Sequence, residues 1–227
     1  MSKVDFDNYA HSYKETLNSS LKRFGGDNTF FDSHKIYCIN EWLISNGEGC
    51  DILDFGCGIG KIAVLLAKEF PTSNIYGYDI SKESLALARN EHGSVKNLHF
   101  TENLTTGKKF DFIVVSGVMH HVPPYNRLEV LCKLKELLNV NGKIAVFEHN
   151  PLNPLTRYTV GTCPFDRDAK LLGSNNLVTL AKLSGLVVNK RLYILFFPWA
   201  ARIFRRFESY IKKVPFGAQY MVILAKH

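Results

Sequence analysis

A short apolar strand that runs into an acidic residue and three closely spaced glycines constrains this chain more than any other feature. The segment from Ile52 to Gly60 reads ILDFGCGIG, and a helical pattern opens at Lys61. Glycine adopts positive φ and lets a ligand reach bare backbone. The helix that follows offers unpaired N–H groups and a partial positive charge, which suit a carboxylate or phosphate. The segment therefore predicts a strand–turn–helix unit with a ligand at its turn.

Further apolar runs alternate with helical patterns, an order typical of a parallel sheet with crossover helices. The predicted strands are Cys50–Phe55, Asn74–Asp79, Leu98–Thr101, Phe110–Ser116, Lys143–Glu148, Val187–Phe197 and Tyr220–Ala225. The predicted helices are Ile62–Phe70, Ser81–Asn90, Arg127–Leu138 and a segment near Asn176–Ser184. About twenty residues join the last two strands, which favours an antiparallel pair there.

This order predicts a single α/β domain with a Rossmann-like, doubly wound, seven-stranded sheet that is mostly parallel and has an antiparallel C-terminal strand. A chain of 227 residues is long enough for one domain and too short for two of ordinary size. We expect an N-terminal helical cap over 1–46, a core over 47–150, and substrate-side loops and C-terminal strands over 151–227. The cap follows from helical spacing of Tyr9, Tyr13, Leu17 and Leu21, and then of Ile36, Ile39, Trp42 and Leu43.

An acidic residue ends the second predicted strand, twenty-three residues after Gly56. At that position a carboxylate, here Asp79, accepts hydrogen bonds from the ribose hydroxyls of a nucleoside ligand. The nicotinamide fingerprint G-x-G-x-x-G would need glycine at position 61, where this chain has Lys61. The observed spacing, G-x-G-x-G, therefore favours a different nucleoside cofactor.

The stretch from Asp54 to Gly60 resembles motif I of the class I S-adenosylmethionine (SAM)-dependent methyltransferases. Asp79-Ile80-Ser81 is similar to the second motif of that family, and Phe110 through Val122 is similar to its fourth strand and the loop after it. Leu134 to Lys143 resembles the segment that leads into the fifth strand. The motifs cover residues 50–150 in the order of the family, and the subgroup they resemble is the ubiquinone/menaquinone-biosynthesis-like methyltransferases.

The resemblance implies SAM as the cofactor and a role for each motif residue. Asp54 and the glycine turn would hold the methionine end, Asp79 would bind the ribose, and Ile80 would flank the adenine. Ser116 would lie near the methionine or the sulfonium. The family often has an aspartate after its third strand, and here Glu102 or Asn103 stands in that region. The implied cofactor residues are Asp54, Gly56, Cys57, Gly58, Gly60, Asp79, Ile80, Asn103 and Ser116.

Titratable side chains follow the fourth and fifth predicted strands, at the edge where ligands of open α/β sheets bind. They are His120, His121, Glu148 and His149. Methyl transfer needs alignment of the acceptor, and a base when the acceptor carries a proton. We expect His149 to be that base because it directly follows the fifth strand. His120 is the next candidate, His121 has packing or capping as its alternative role, and Glu148 would orient an imidazole or the SAM amine.

Composition narrows the class of protein further. The five cysteines show no CxxC or Cys/His metal spacing, so we expect no metal site and a reduced, cytoplasmic chain. The sequence contains no run of about 18 apolar residues, so it predicts no membrane span. Residues 1–150 hold 16 of the 28 basic and 18 of the 21 acidic residues, a net charge of −2. Residues 151–227 therefore carry a net charge of +9, and the whole chain carries +7.

The basic C-terminal third contains an amphipathic segment over 198–213. Its apolar residues are Trp199, Ile203, Phe204, Phe207, Tyr210 and Ile211, and its basic residues are Arg202, Arg205, Arg206, Lys212 and Lys213. Such a segment covers the sheet or the acceptor pocket, or else makes a peripheral contact with anionic lipid or a lipid-linked acceptor. A nucleic-acid partner is not expected, because the basic residues accompany aromatic ones on one helix and form no dispersed stripe.

We therefore predict an enzyme that transfers a methyl group from SAM to a small-molecule acceptor, either lipid-linked or a saccharide. The alternatives are an RNA or DNA methyltransferase, favoured by the basic third, and a non-catalytic SAM-binding interaction subunit. The sequence leaves the oligomeric state open.

Overall fold

The structure is a computed structural model that describes residues 28–43, 49–104, 107–197 and 208–226. Within these residues one sheet holds seven strands in the order β3-β2-β1-β4-β5-β7-β6. The strands are β1 Asp51–Phe55, β2 Asn74–Tyr78, β3 Leu98–Thr101, β4 Phe110–Ser116, β5 Leu138–His149, β6 Leu186–Ile194 and β7 Gln219–Lys226. β1 to β5 pair in parallel, and β7 runs antiparallel between β5 and β6. The predicted fold is confirmed, including the antiparallel last strand.

Helices connect the strands and begin at residues whose chemistry favours a helix start. They are α1 Asn28–Leu43, α2 Lys61–Glu69, α3 Lys82–His92, α4 Arg127–Leu137, α5 Pro154–Thr162, α6 Ser174–Leu183 and α7 Glu208–Ile211. The Ser81 side chain caps α3 by accepting a hydrogen bond from Ser84 N, and Asn153 caps α5 in the same way from Thr156 N. None of the helices in the described ranges has both the length and the hydropathy to cross a membrane.

Side chains alternate between the two faces of the sheet and so form two cores. On β1, Ile52 packs against one face, where Ile36 and Ile39 of α1 and Leu66 of α2 are buried. Leu53 packs against the other face, together with residues of α4 and α6. This burial confirms the helical cap over Ile36 and Ile39. Covering both faces is what makes these strands nearly continuous apolar runs.

Several predicted boundaries differ from the structure. The helix expected over Arg127–Leu138 ends at Leu137, because Leu138 pairs with Phe110 and already belongs to β5, which was expected to begin only at Lys143. The strand expected over Val187–Phe197 ends at Ile194, because Leu195 adopts a φ of +61°, which breaks the extended backbone. The strands over Leu98–Thr101 and Phe110–Ser116 match the predicted bounds, and the other strand ends differ by one residue.

Some of the predicted features lie outside the described residues. These are the helical spacing from Tyr9 to Leu21 and most of the amphipathic segment, since 198–207 is not described. Only its last part is described, as the short helix α7 and the turn that leads to β7.

Candidate active site

The turn after β1 is packed so tightly that only glycine fits in it. A Cβ atom at Gly56, where φ is +76°, would lie 2.5 Å from Val118 Cγ2. One at Gly60, where φ is +80°, would lie 2.7 Å from Phe100 Cζ. Positive φ and lack of space therefore both require glycine at these positions. The turn presents bare backbone to a large cavity at the carboxyl ends of β1, β2, β4 and β5.

Most N–H groups of this turn are already paired within the protein. Tyr78 O accepts hydrogen bonds from Gly56 N at 2.7 Å and Cys57 N at 2.9 Å, and Gly60 N donates to Cys57 O. The thiol of Cys57 is buried, and burial raises its pKa. The free N–H groups expected from the sequence are thus partly taken. The turn therefore lets a ligand approach the backbone closely, but it offers few backbone N–H groups as hydrogen-bond donors.

Asp54 is a buried carboxyl group at the end of β1, with 2% of its surface exposed. The Ala63 backbone N–H bonds to it, and its Oδ2 atom has no hydrogen-bond partner among the described residues. Burial, followed by the negative charges of Asp79 and Asp32, raises the pKa of Asp54 to about 7. Because a buried carboxylate without a counter-charge is costly, this position fits a cationic group of a ligand.

Asp79 follows β2, and each of its carboxylate oxygens receives one backbone hydrogen bond. Gly58 N donates to Oδ2 at 2.7 Å, and Ser81 N donates to Oδ1 at 2.9 Å. Each oxygen can accept a further bond. The neighbouring Ile80 is 71% exposed although it is large and apolar, and both residues line the cavity. The pair therefore presents two acceptors beside an apolar surface, a combination that suits a ribose next to an aromatic base.

The residues expected near the adenine and the sulfonium also line this cavity. After β3, Thr101 Oγ1 binds both the backbone nitrogen and the backbone oxygen of Asn103, which fixes the loop. Glu102 faces the ammonium group of Lys82 at 3.8 Å. That contact favours Asn103 over Glu102 as the polar group that could hydrogen-bond to the adenine base of a ligand. Ser116 is the last residue of β4, and it lies opposite the glycine turn across the strand ends.

A buried ion pair connects the loop after β4 with the end of β5. His120 Nδ1 lies 2.6 Å from Glu148 Oε2, and Met119 N donates to Glu148 Oε1 at 2.7 Å. Burial opposes a charge on His120, but Glu148 and Asp166 outweigh it and raise its pKa to about 10. Burial alone would raise the pKa of Glu148, but His120 holds it below its usual range. His120 is therefore a poor candidate for a free base, and this contact favours an imidazole over the SAM amine as the group that Glu148 orients.

His149 differs from His120 in its surroundings. Its ring meets the His120 ring edge to face, with the centroids 5.1 Å apart, and it lines the cavity. Burial and the positive charge on His120 lower the pKa of His149 to about 4. A neutral imidazole that faces the cavity can accept a proton.

The sequence analysis missed Asp166, which lies in a 3-10 turn over Pro164–Asp166 after α5. Its Oδ1 atom is 3.4 Å from the Nε2 atoms of both His120 and His121. These histidines hold the pKa of Asp166 below its usual range, although burial opposes this. The available signal was weak: Asp166 is one of three acidic residues in the basic C-terminal third.

Side-chain amides join the loop that follows β5 to the loop that precedes β7. The Asn150 amide donates to Pro215 O at 3.0 Å and to Gly217 O at 2.8 Å, and the Asn153 amide donates to Phe216 O at 2.7 Å. The cavity measures about 1420 Å³. A pocket for one small ligand measures about 300–1,000 Å³, so this one has room for a nucleoside cofactor and a second molecule.

Residues 53–144 match the family model of a methyltransferase domain. The chain is 34% identical over 99 residues to malonyl-[acyl-carrier protein] O-methyltransferase 1 of Ilyobacter polytropus, an alignment that covers 42% of this chain and 36% of that protein. The chain spans about half the length or less of the first curated relatives that it matches.

Solved structures share the fold of this chain over nearly its whole length. A TehB-like SAM-dependent methyltransferase from Corynebacterium glutamicum superposes with a TM-score of 0.63 at 15% identity, covering 97% of this chain and 99% of that one. Magnesium protoporphyrin IX methyltransferase from Synechocystis, with bound SAH, gives a TM-score of 0.62 at 15% identity, covering 98% and 100%. The family model agrees with the predicted methyltransferase class, and the second structure contains SAH, the demethylated form of the predicted cofactor.

Proposed function

We propose that this chain transfers a methyl group from SAM to a small-molecule acceptor. One observation carries the proposal: a single cavity contains the bare glycine turn, the buried Asp54 carboxyl group with an unpartnered oxygen, and the Asp79 carboxylate. These groups match the three chemically distinct parts of SAM, which are an amino acid, a ribose and an adenine.

The chain's own residues fit SAM part by part. Asp54 Oδ2, which has no hydrogen-bond partner among the described residues, would receive the α-ammonium group of the methionine end, whose positive charge would add to the weak effect of Lys35. Asp79 would accept the two ribose hydroxyls, and Ile80 would pack on the adenine ring with Asn103 at its polar edge. The glycine turn lets the cofactor lie against the backbone. The residues described at this end of the sheet are therefore complementary to SAM.

When bound, SAM supplies an activated methyl group on a sulfonium. The protein then has to align the acceptor, exclude water and, for an acceptor that carries a proton, remove it. Asn153, which fixes the loop after β5, lines the cavity and would help with the first two tasks. We assign the third task to His149, because it also lines the cavity and its imidazole is uncharged at neutral pH.

The size and enclosure of the acceptor side support a small molecule over a nucleic acid. The related enzyme from Ilyobacter polytropus is named for malonyl-[acyl-carrier protein], in which a small acyl group is presented on a carrier. A lipid-linked or saccharide acceptor, and membership of the ubiquinone/menaquinone-biosynthesis-like subgroup, are the finer forms of our proposal. They rest on the motif resemblance over residues 50–150 and on the basic, aromatic segment over 198–213.

A labelling experiment tests the proposal. The protein is incubated with methyl-labelled SAM and separately with the small-molecule, lipid, RNA and DNA fractions of a bacterial lysate, with an Asp79→Ala variant as the control. We expect label in the small-molecule or lipid fraction with the wild type only. Label confined to RNA or DNA would establish the alternative acceptor. SAM binding without transfer to any fraction would indicate a non-catalytic subunit.

A further inference from the structure

Three metal-ligating side chains meet in the cavity wall on the acceptor side. His120 and His121 are consecutive residues after β4, and Asp166 comes from the turn after α5. Their ligand atoms, two imidazole nitrogens and one carboxylate oxygen, all lie within 4.8 Å of one another. The side chains of His120, His121 and Asp166 are only 2%, 17% and 13% exposed. They form a largely buried cluster, unlike the exposed acidic groups common at protein surfaces.

The distances within this cluster match a coordination polyhedron better than a pair of hydrogen bonds. Asp166 Oδ1 lies 3.4 Å from both His120 Nε2 and His121 Nε2. An N–H···O hydrogen bond usually measures about 2.7–3.2 Å. In a tetrahedral site with ligand bonds of about 2.0–2.1 Å, neighbouring ligand atoms are about 3.3–3.4 Å apart. A single ion at the centre would thus contact all three atoms with little movement of the side chains.

The second nitrogen of each ring lies near a carboxylate. His120 Nδ1 is hydrogen-bonded to Glu148 Oε2 at 2.6 Å, as in the outer shell of metal sites, whereas His121 Nδ1 is 3.7 Å from Asp168 Oδ1, beyond hydrogen-bond distance. A carboxylate at Nδ1 fixes the tautomer in which Nε2 carries the lone pair and points toward the ion. Glu148 is itself held by Met119 N at 2.7 Å. The ring of His120 is therefore fixed in the orientation that metal binding needs.

The charges around the two imidazoles also favour a bound metal ion. Three carboxylates, those of Glu148, Asp166 and Asp168, lie within 4 Å of the two imidazoles. A proton on His120 alone pairs well with Glu148, but it leaves Asp166 at long distance from both rings. A dication at the centre would compensate Asp166 directly and Glu148 and Asp168 through the rings. Imidazole and carboxylate together suit divalent transition metals, including Zn²⁺, Mn²⁺, Fe²⁺ and Co²⁺.

We propose that His120, His121 and Asp166 bind one divalent transition-metal ion, and that the acceptor binds to this ion through an oxygen atom. Three protein ligands leave coordination positions open, as in catalytic rather than structural sites. Those positions face the cavity, since all three residues line it together with Ser116 and His149. The acceptor part of this inference rests on the proposed methyl transfer, whereas the metal part stands without it. The expectation of no metal site came from residue spacing along the chain, whereas Asp166 is 45 residues from His121.

Titration with Co²⁺ tests the metal site, because Co²⁺ at a His/Asp site with open positions absorbs visible light. The chelator-treated protein should bind one Co²⁺ per chain with such a spectrum. Asp166→Asn and His121→Gln should each weaken binding at least tenfold, and circular dichroism shows whether each variant is folded. His99→Gln removes an exposed imidazole outside the cavity and should leave binding unchanged. Equal binding by Asp166→Asn and the wild type would overturn the proposal, as would an absence of stoichiometric binding in folded wild-type protein.

Calorimetry with SAM on the same samples separates the two proposals. We expect SAM to bind the wild type, Asp166→Asn and His121→Gln with the same affinity within twofold. SAM binding without Co²⁺ binding would overturn the metal site and leave the methyltransferase proposal in place. Co²⁺ binding without SAM binding would do the opposite. Once an acceptor is known, its addition should change the Co²⁺ spectrum of the wild type, and an unchanged spectrum would overturn direct binding of the acceptor to the ion.

Discussion

Asp79 Oδ2 accepts a 2.7 Å hydrogen bond from the backbone nitrogen of Gly58, and this contact joins the turn after β1 to the end of β2. The same carboxylate accepts a bond from Ser81 N at 2.9 Å, where α3 is about to begin. One side chain thus fixes both walls of the proposed nucleoside site. The Asp79 side chain also lines the cavity.

Replacement of Asp79 should therefore weaken SAM binding. We expect Asp79→Ala to cost about 1.5–3 kcal/mol of binding free energy, because hydrogen bonds to a charged group are lost. Calorimetric titration with SAM measures this, and Glu83→Gln, an exposed carboxylate on the first turn of α3, is the control that should bind like the wild type. Unchanged affinity of Asp79→Ala would contradict the ribose assignment. Tight NADH binding in place of SAM binding would contradict the cofactor itself.

The glycine turn provides a stability test with an internal control. Gly56→Ala adds a Cβ atom 2.5 Å from Val118 Cγ2 at positive φ, whereas Gly58→Ala, also at positive φ, meets nothing within 4 Å. We expect Gly58→Ala to lose about 1–2 kcal/mol for the backbone conformation alone. Gly56→Ala should lose about 1–3 kcal/mol more because of overpacking. Urea unfolding measures both losses.

Adding Val118→Ala should separate the two contributions at Gly56. The second substitution removes the clashing methyl groups, so the double variant should recover the overpacking loss and keep the backbone loss. A Gly56→Ala variant as stable as Gly58→Ala would show that the turn is looser than the structure indicates.

Binding of SAM should depend on pH through Asp54. Its pKa in the folded protein is about 7, well above the usual value of 3.8. The carboxylate that would pair with the SAM ammonium is therefore lost as pH falls through 7, and affinity should fall with it. Calorimetry between pH 5.5 and 8 measures this dependence. Asp54→Asn should bind weakly with little slope, and an equal slope in that variant would assign the effect to another group.

The same group makes the unliganded protein less stable at higher pH. A raised folded-state pKa means that the stabilising contribution is complete below the unfolded pKa and is lost as pH rises through about 7. The free energy of unfolding should fall by a few kcal/mol between pH 4 and 7 for the wild type relative to Asp54→Asn. Parallel pH profiles for the two proteins would show that Asp54 is not the group responsible.

Loss of the His149 imidazole should slow methyl transfer without weakening SAM binding. General-base assistance contributes about 10²–10⁴-fold, so His149→Asn should lower kcat by that factor for an oxygen acceptor. The acceptor found by the labelling experiment is used for this assay, with His99→Asn as an exposed-histidine control. A near-normal kcat for His149→Asn would mean that the acceptor needs no base and that alignment alone carries the reaction.

Loss of the His120 imidazole should instead lower the free energy of unfolding. His120→Ala leaves the Glu148 carboxylate, 1% exposed, without its partner at 2.6 Å. Breaking such a buried pair costs about 3–5 kcal/mol. The double variant with Glu148→Gln should recover part of the loss, because it removes the uncompensated charge. Urea unfolding of the two variants measures this, and a loss below 1 kcal/mol in the single variant would contradict the buried ion pair.

The cofactor side of the site was accessible from the sequence because its residues lie close together along the chain. Asp54 and the glycines occupy one turn, and Asp79 ends the next strand, so parallel pairing brings them together in any sheet with this strand order. The alternating pattern likewise predicted the sheet and its antiparallel last strand. It misplaced the start of β5 and the end of β6, where a pairing at Leu138 and a positive φ at Leu195 decide the boundary.

The acceptor side was decided by the tertiary structure. The sequence ranked His149 ahead of His120 and His121 because it directly follows the fifth strand, but it gave no sign of the differences in their charge states. Burial, the contact between His120 and Glu148 and the approach of Asp166 from the turn after α5 create those differences. A local sequence pattern determines which residues share a turn. The charge state of an imidazole depends on which carboxylates the folded chain brings within a few ångströms of it, and residues distant in sequence supply them.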